Sequence, residues 1–311
     1  MVIKDKNKKN KLVVILGPTA TGKTKLAVFL ARKFKGEIVS ADSRQVYKGM
    51  DIGTGKDLAE YKINVGTGFK PVRIPYHLID VVKPNTDFNL AKFKKLAEKA
   101  IQDIHARGKV PFLVGGTGLY ISALVENYQI PKVAPDKKIR RKIEKMKKQE
   151  KVKMLKKLDP MAVSLIDIEN PRRLNRALEI CLAGHKFSQK KKNKPLFNAL
   201  QLGITFPKDI LDKRIDERVD KRIKQGMVKE VQNLYRTGVS WKRLNDFGLE
   251  YRFISRYLRG KYSKDETVSL LKTAIHQFAK RQMTWFKPDK SIHWIKNKKQ
   301  AERLVNNFLK R

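Results

Sequence analysis

A chain of 311 residues is about two domains' worth at roughly 150 residues each, enough to bury a substantial core. Its 71 lysines and arginines against 30 acidic residues leave a formal charge of +41, far more than solubility needs, so the sequence points to a polyanionic partner, nucleic acid first. An apolar fraction of 41% excludes a disordered basic tail, and the single cysteine, Cys181, excludes a disulfide framework or a multi-cysteine zinc site. No apolar run approaches a membrane span, and the start, MVIKDKNKKN, lacks the apolar core of a secretory signal. The expectation is a cytoplasmic protein with no membrane partner, acting as a monomer.

Residues 1–10 are polar and expected to fray. The apolar run 12–16 breaks at Gly17-Pro18, the pattern of a buried strand feeding a loop. Leu26, Ala27, Leu30 and Phe34 then fall at helical spacing within 22–34, and 37–40 reads as a second strand. Further along come a strand at 77–82, a helix at 89–107, a strand at 111–114, a glycine-rich turn and an apolar helix from 119 to about 126. This alternation predicts an α/β fold with a P-loop and a doubly wound parallel sheet. The composition changes at Pro131. Between 132 and 159 lysine or arginine takes nearly every second position, while Ile139, Ile143 and Met146 share one helical face. A basic, mostly helical insertion is therefore expected over 131–195, ended by the KKKNKP run, and the sheet domain over 11–130 and 196–311. A strand at 200–205 and helices at 209–225, 227–237 and 264–284 complete the reading, the last opening on a capping box from Ser263 to Glu266.

Gly17-Pro18-Thr19-Ala20-Thr21-Gly22-Lys23-Thr24 matches G-x-x-x-x-G-K-[ST] between a strand and a helix start, where backbone N–H groups can cradle phosphates. Lys23 would add charge and the Thr24 hydroxyl would face a magnesium ion (Mg2+). The loop implies a diphosphate, not specifically a nucleoside triphosphate. A kinase or NTPase would add an apolar strand ending in an aspartate; the nearest candidate, Asp80, falls inside its predicted strand. The second strand ends instead in Ser40-Ala41-Asp42-Ser43-Arg44-Gln45-Val46-Tyr47, a polar cluster at the carboxyl edge of the sheet, where such folds bind ligands. Asp42 is either a turn residue or a general base, and its place beside the phosphate loop favours the base. A P-loop kinase would leave the +41 charge and the basic insertion unexplained, and a non-catalytic RNA binder would not need Lys23, Thr24 and Asp42 intact.

GPTATGKT, EIVSADSRQVYKGMDIGTGK at 37–56, PYHLIDVVKP at 75–84 and PFLVGGTGLYISAL at 111–124 resemble, motif for motif, the tRNA dimethylallyltransferases, also called tRNA isopentenyltransferases. NPRRLNRALEI at 170–180 and FAKRQMTWF at 278–286 are similar to that family's tRNA-contacting segments. The resemblance spans about residues 11 to 295, and no Cys/His finger follows, as in the compact bacterial type. It implies transfer of the dimethylallyl group from dimethylallyl diphosphate to N6 of adenine 37, beside the anticodon of tRNA. It also implies that Asp42 takes the N6 proton, that Thr117 lies near the reacting groups, and that Lys23 assists departure of pyrophosphate. Gly17 to Thr24, with Arg214 or Arg218 from the stripe Arg214, Arg218, Arg222, would hold the diphosphate. Asp42, Ser43, Arg44, Gln45, Arg172, Arg173, Arg176, Lys280, Arg281, Gln282 and Trp285 would meet the tRNA, with the target adenine flipped out toward Arg44 and Gln45. Trp285 reads equally as a core residue or a base-stacking one. The five histidines are scattered without metal-ligand spacing and read as structural, and Cys181 as a buried small residue. The chain departs from the family pattern at Phe247-Gly248-Leu249-Glu250-Tyr251 and at Ile275-His276-Gln277, segments expected to face RNA.

Overall fold

The computed structural model describes residues 10–63, 72–131, 133, 136–188 and 193–311. The fraying expected of the N-terminus thus lies, except for Asn10, outside the described residues. The chain divides into two compact units, Met1–Val125 with Pro195–Arg311, and Glu126–Lys194. No helix among the described residues is long and apolar enough to cross a membrane.

The first unit is built on strands β1 (Lys11–Leu16), β2 (Gly36–Ser40), β5 (Tyr76–His77), β6 (Val110–Gly115), β7 (Asn198–Gly203) and β8 (Ile292–Trp294), in the order β5-β2-β6-β1-β7-β8 and parallel throughout. A two-stranded antiparallel ribbon of β3 (Lys62–Ile63) and β4 (Val72–Arg73) stands apart. The central strand β1 is buried at every residue because both faces of a parallel sheet are covered. Its period of two splits the core accordingly. Leu12, Val14 and Leu16 pack with Phe93 and Ile101 of α2 (Leu90–Ala106) and Ile121 of α3 (Gly118–Val125). Val13 and Ile15 pack with Leu26 and Leu30 of α1 (Lys23–Lys33). The strand expected at 77–82 stops at His77, because Leu78 and Asp80 take φ of +63° and +57° and turn the chain; Val82 survives only as an isolated bridge to Tyr47.

The second unit holds α4 (Lys137–Lys145), α5 (Lys148–Leu158), α6 (Pro160–Leu165) and α7 (Pro171–Leu182). Asp136, Asp159 and Asn170 cap α4, α6 and α7 through their side chains, and Pro160 and Pro171 take first-turn positions where no N–H is needed. Ile143, Leu155, Leu174, Leu178 and Cys181 form a small core. Burial pushes the Cys181 thiol upward, as for an inert packed cysteine. Arg141, Lys142, Lys145, Lys148, Lys153, Lys156 and Lys157 remain exposed around that core.

Back in the first unit, α8 (Lys208–Lys224), α9 (Met227–Arg236), α10 (Trp241–Phe247), α11 (Leu249–Leu258) and α12 (Lys264–Phe286) gather a separate core about Leu211, Ile215, Val219, Val231, Tyr251 and Leu271, with Val46, Tyr47 and Met50 from the loop after β2. The Ser263 to Glu266 capping box forms at the start of α12. A last helix, α13 (Lys298–Lys310), covers the α1 face of the sheet through Ala301 and Val305. The sequence reading left out α10, α11, β8 and α13. The first two are short and divided at Gly248, whose φ is +78°, so neither shows a sustained helical stripe.

Candidate active site

The phosphate loop leaves β1 at Gly17, where φ is +141° and a Cβ would meet the Ile204 carbonyl oxygen at 2.1 Å, so glycine is required. Gly22, at φ +80°, caps α1, so the helix N-terminus with its unpaired N–H groups begins at the loop. The Thr21 hydroxyl and the Lys23 ammonium both donate to the Pro18 carbonyl, at 2.9 and 2.5 Å. The loop is thereby braced at Pro18 by its own side chains. Lys23, Thr24 and Thr19 line a cavity of about 440 Å3 together with Asp42, Gln45 and Arg218.

The opposite wall is the carboxyl edge of β2. Asp42 Oδ1 accepts the N–H groups of Arg44 and Gln45 at 2.7 and 3.2 Å, so the turn role and the cavity-facing role fall to the same carboxylate. Thr117 caps α3 and accepts the Ser43 N–H on its hydroxyl at 3.1 Å. It is not among the residues that line the cavity; it holds the turn that carries Asp42. Gln45 accepts the Ser40 hydroxyl at 3.0 Å and donates to the Gly55 carbonyl at 3.1 Å, which ties β2 to the loop after Asp51.

The arginine stripe of α8 sinks progressively into the protein. Exposed Arg214 donates through Nε to the Ala20 carbonyl at 2.8 Å and lies over the Phe206 ring at 4.7 Å. Half-buried Arg218 donates to the Thr19 hydroxyl at 3.1 Å and faces Asp57 at 3.5 Å. Buried Arg222 donates to the Gly53 carbonyl and to Glu250, each at 3.3 Å, while its Nη2 has no hydrogen-bond partner among the described residues. A Cβ on Gly55 would meet Arg222 Nη2 at 1.7 Å and Arg218 Nη2 at 2.3 Å, so both guanidinium groups converge on that bare Cα. Two crowded cations and an enclosed lysine suit a polyanion. Burial, then Arg218, lowers the Lys23 ammonium to about 7, and burial, then Arg222, lowers Arg218 to about 10. Burial raises the Glu250 carboxyl, opposed by Arg222.

The other predicted residues are more dispersed. Arg44 does not line the cavity and lies over the Phe247 ring at 5.7 Å. Gln282, expected to meet RNA, lines the cavity, is 7% exposed and is bonded at both ends to backbone, while Lys280 and Arg281 beside it are exposed. Trp285 is 41% exposed, donates to the Ser122 hydroxyl at 3.2 Å, and packs where a Cβ on Gly118 would lie. In the second unit Arg172 and Arg173 are exposed, whereas Arg176 and Arg140 pair with buried Glu179 and hold its carboxyl below the usual range.

Two expectations are corrected. The departures at 247–251 and 275–277 do not simply face outward: Tyr251 and Ile275 are buried, Glu250 pairs with Arg222, and His276 pairs with Asp216 at 2.9 Å. They support the wall behind Arg218. Asp80 neither lines the cavity nor sits in a strand, and its carboxylate accepts the buried Lys56 ammonium. Sequence reasoning missed Asp57, Tyr61 and Phe278, which also line the cavity, and Glu230, whose carboxylate accepts the N–H groups of Asp51, Ile52 and Gly53 at 2.8, 2.6 and 3.1 Å. Phe278 opens the quoted FAKRQMTWF motif, and for Asp57 the signal was the run Asp51-Ile52-Gly53-Thr54-Gly55-Lys56-Asp57, whose glycines forecast a tight loop but not its partner.

The sequence model of the family described as IPP transferase matches residues 45–289, and that of isopentenyl transferase matches 10–64. The tRNA dimethylallyltransferase 1 of Geotalea daltonii is 43% identical over 288 residues, covering 91% of this chain and 90% of its own. The protein of the same name from Syntrophus aciditrophicus is 44% identical over 277 residues, covering 89% of each. Among solved structures, the full-length tRNA isopentenylpyrophosphate transferase of Bacillus halodurans superposes with a TM-score of 0.70 at 34% identity, over 97% of each chain. A eukaryotic dimethylallyltransferase acting on tRNA gives a TM-score of 0.81 at 28% identity, over 97% of this chain and 80% of its own. With a phosphate loop and an aspartate facing one cavity, and with relatives of this identity along nearly its whole length, the chain belongs to the IPP transferase family, that of the tRNA dimethylallyltransferases.

Proposed function

We propose that this protein transfers the dimethylallyl group of dimethylallyl diphosphate to N6 of adenine 37, next to the anticodon of tRNA, releasing pyrophosphate. One observation carries the reading: the phosphate loop with Lys23 and the Asp42 carboxylate open on the same cavity. The loop N–H groups, Lys23, Arg214 and Arg218 bind the diphosphate and offset the charge that grows on it as the allylic C–O bond breaks. N6 attacks the allylic carbon, and its proton passes to Asp42. Thr117 keeps that carboxylate in place through the Ser43 N–H. Tyr61 and Phe278 supply apolar lining suited to the dimethylallyl tail.

Magnesium fits this site. Thr24 presents a hydroxyl at the start of α1, and magnesium beside a diphosphate takes most other ligands from phosphate and water rather than from a protein cage. Among the described residues no group of three or more His, Cys, Asp or Glu side chains forms such a cage. When bound, the ion would neutralise charge on the departing pyrophosphate. For an adenine to reach Asp42 it must leave the anticodon stack, and Gln45, on the cavity wall, is the group we assign to the flipped base. The exposed basic residues of α4, α5 and α7 are our candidate tRNA contacts in the second unit, and Lys280, Arg281 and Trp285 are separate candidates in the first.

The test is incubation with labelled dimethylallyl diphosphate and tRNA, with ATP hydrolysis followed in parallel. Label should enter tRNA, Lys23→Ala should impair its incorporation, and tRNA should stimulate no ATP hydrolysis. Robust tRNA-stimulated ATP turnover without incorporation would instead make this a P-loop NTPase.

A further inference from the structure

Gln282 has two partners on two different catalytic segments. Its Oε1 accepts the Thr19 N–H at 2.9 Å, and its Nε2 donates to the Gly116 carbonyl at 2.8 Å. The side chain reaches there from α12 and is 7% exposed. Gly116 has no Cβ to obstruct it, since one would meet Gln282 Nε2 at 2.3 Å.

We propose that Gln282 is a positioning residue for the transfer step, an amide staple that holds the phosphate loop and the Asp42 turn at a fixed separation. On the Thr19 side, the same residue's hydroxyl accepts Arg218, so the staple fixes a point where loop and arginine meet. On the Gly116 side, the next residue is Thr117, whose hydroxyl holds Ser43 beside Asp42. Donor-binding and proton-accepting groups lie on separate segments after β1, β2 and β6, and in-line attack requires the allylic carbon and the attacking nitrogen to be aligned within a fraction of an ångström. The glutamine amide accepts from one backbone with its oxygen and donates to the other with its nitrogen at once. A residue serving RNA contact alone would not be buried with both ends of its amide committed.

The proposal rests on the transferase reading and is tested apart from it. Gln282→Met keeps the length and removes both bonds; Gly116→Ala leaves the glutamine in place and displaces its amide. Single-turnover transfer at saturating donor and tRNA, donor affinity by calorimetry, tRNA affinity by filter binding and thermal melting are measured for each. The expected result is a 10- to 100-fold slower transfer step in both variants, with both affinities within about threefold of wild type and cooperative melting retained. Should Gln282→Met fail to fold, Gly116→Ala decides on the same readouts. A transfer rate equal to wild type at saturation overturns the proposal, whether tRNA affinity drops, marking an RNA contact, or donor affinity drops, marking mere support of the loop. Absence of transfer by the wild type itself would overturn the transferase reading instead.

Discussion

Asp42, which we propose as the base, has one oxygen tied to two backbone N–H groups and opens its carboxylate on the phosphate cavity. Asp42→Asn keeps the turn and removes the proton acceptor. Single-turnover transfer should fall by roughly 10²- to 10⁴-fold with tRNA affinity retained, measured by rapid quench and filter binding. Lys23 carries a second prediction. Its ammonium stands at about 7 instead of 10.5 because it is buried beside Arg218, so its charge opposes the ligand-free fold. For a lysine lowered in the folded state that cost is complete below pH 7 and fades as pH rises from 7 toward 10.5. Lys23→Met should therefore raise the melting temperature of the donor-free protein more at pH 6 than at pH 9. Both residues were legible in the sequence, because the phosphate loop is a local motif and Asp42 follows the second strand. The Arg222–Glu250 pair was not, since its partners lie 28 positions apart on different helices.

At the scale of elements, the loop from Asp51 to Asp57 shows how a remote helix shapes the site. Glu230 of α9 accepts three consecutive N–H groups of that loop and the Tyr251 hydroxyl at 2.8 Å, so a single carboxylate serves as the anion in a backbone nest. The loop then presents Thr54, Gly55 and Asp57 to the cavity. Glu230→Ala leaves these donors without their charged acceptor and should cost about 2 kcal/mol in chemical denaturation, with weaker donor binding by calorimetry. Strands β1, β2 and β6 and helices α1, α2, α8 and α12 were readable because each carries its own apolar run or stripe. The strand expected after Tyr76 was cut short by left-handed residues at Leu78 and Asp80, a backbone choice that side-chain hydropathy does not encode. Conversely, β8 is three residues long and gains its place from pairing with β7, a tertiary fact.

For the whole molecule, the dominant feature is charge. A net +41 on a folded chain has its densest local expression in the exposed lysines of α4 and α5. If these meet RNA phosphates, tRNA affinity should fall steeply with salt, and neutralising Lys142, Lys145, Lys148 and Lys153 should make the slope shallower by up to about one unit per lost contact. A slope unchanged by those substitutions would assign the charge to another task. The same charge separates the tRNA enzyme from one that prenylates free adenine nucleotides, which need no extended basic surface. The most direct test gives the wild-type enzyme labelled dimethylallyl diphosphate with tRNA, and separately with AMP or ADP, followed by nuclease digestion and mass spectrometry of the products. The expected product carries a single dimethylallyl group on N6 of the adenine that follows the anticodon, with free nucleotides unmodified. Label on AMP or ADP but not on tRNA, or at another base, would contradict it.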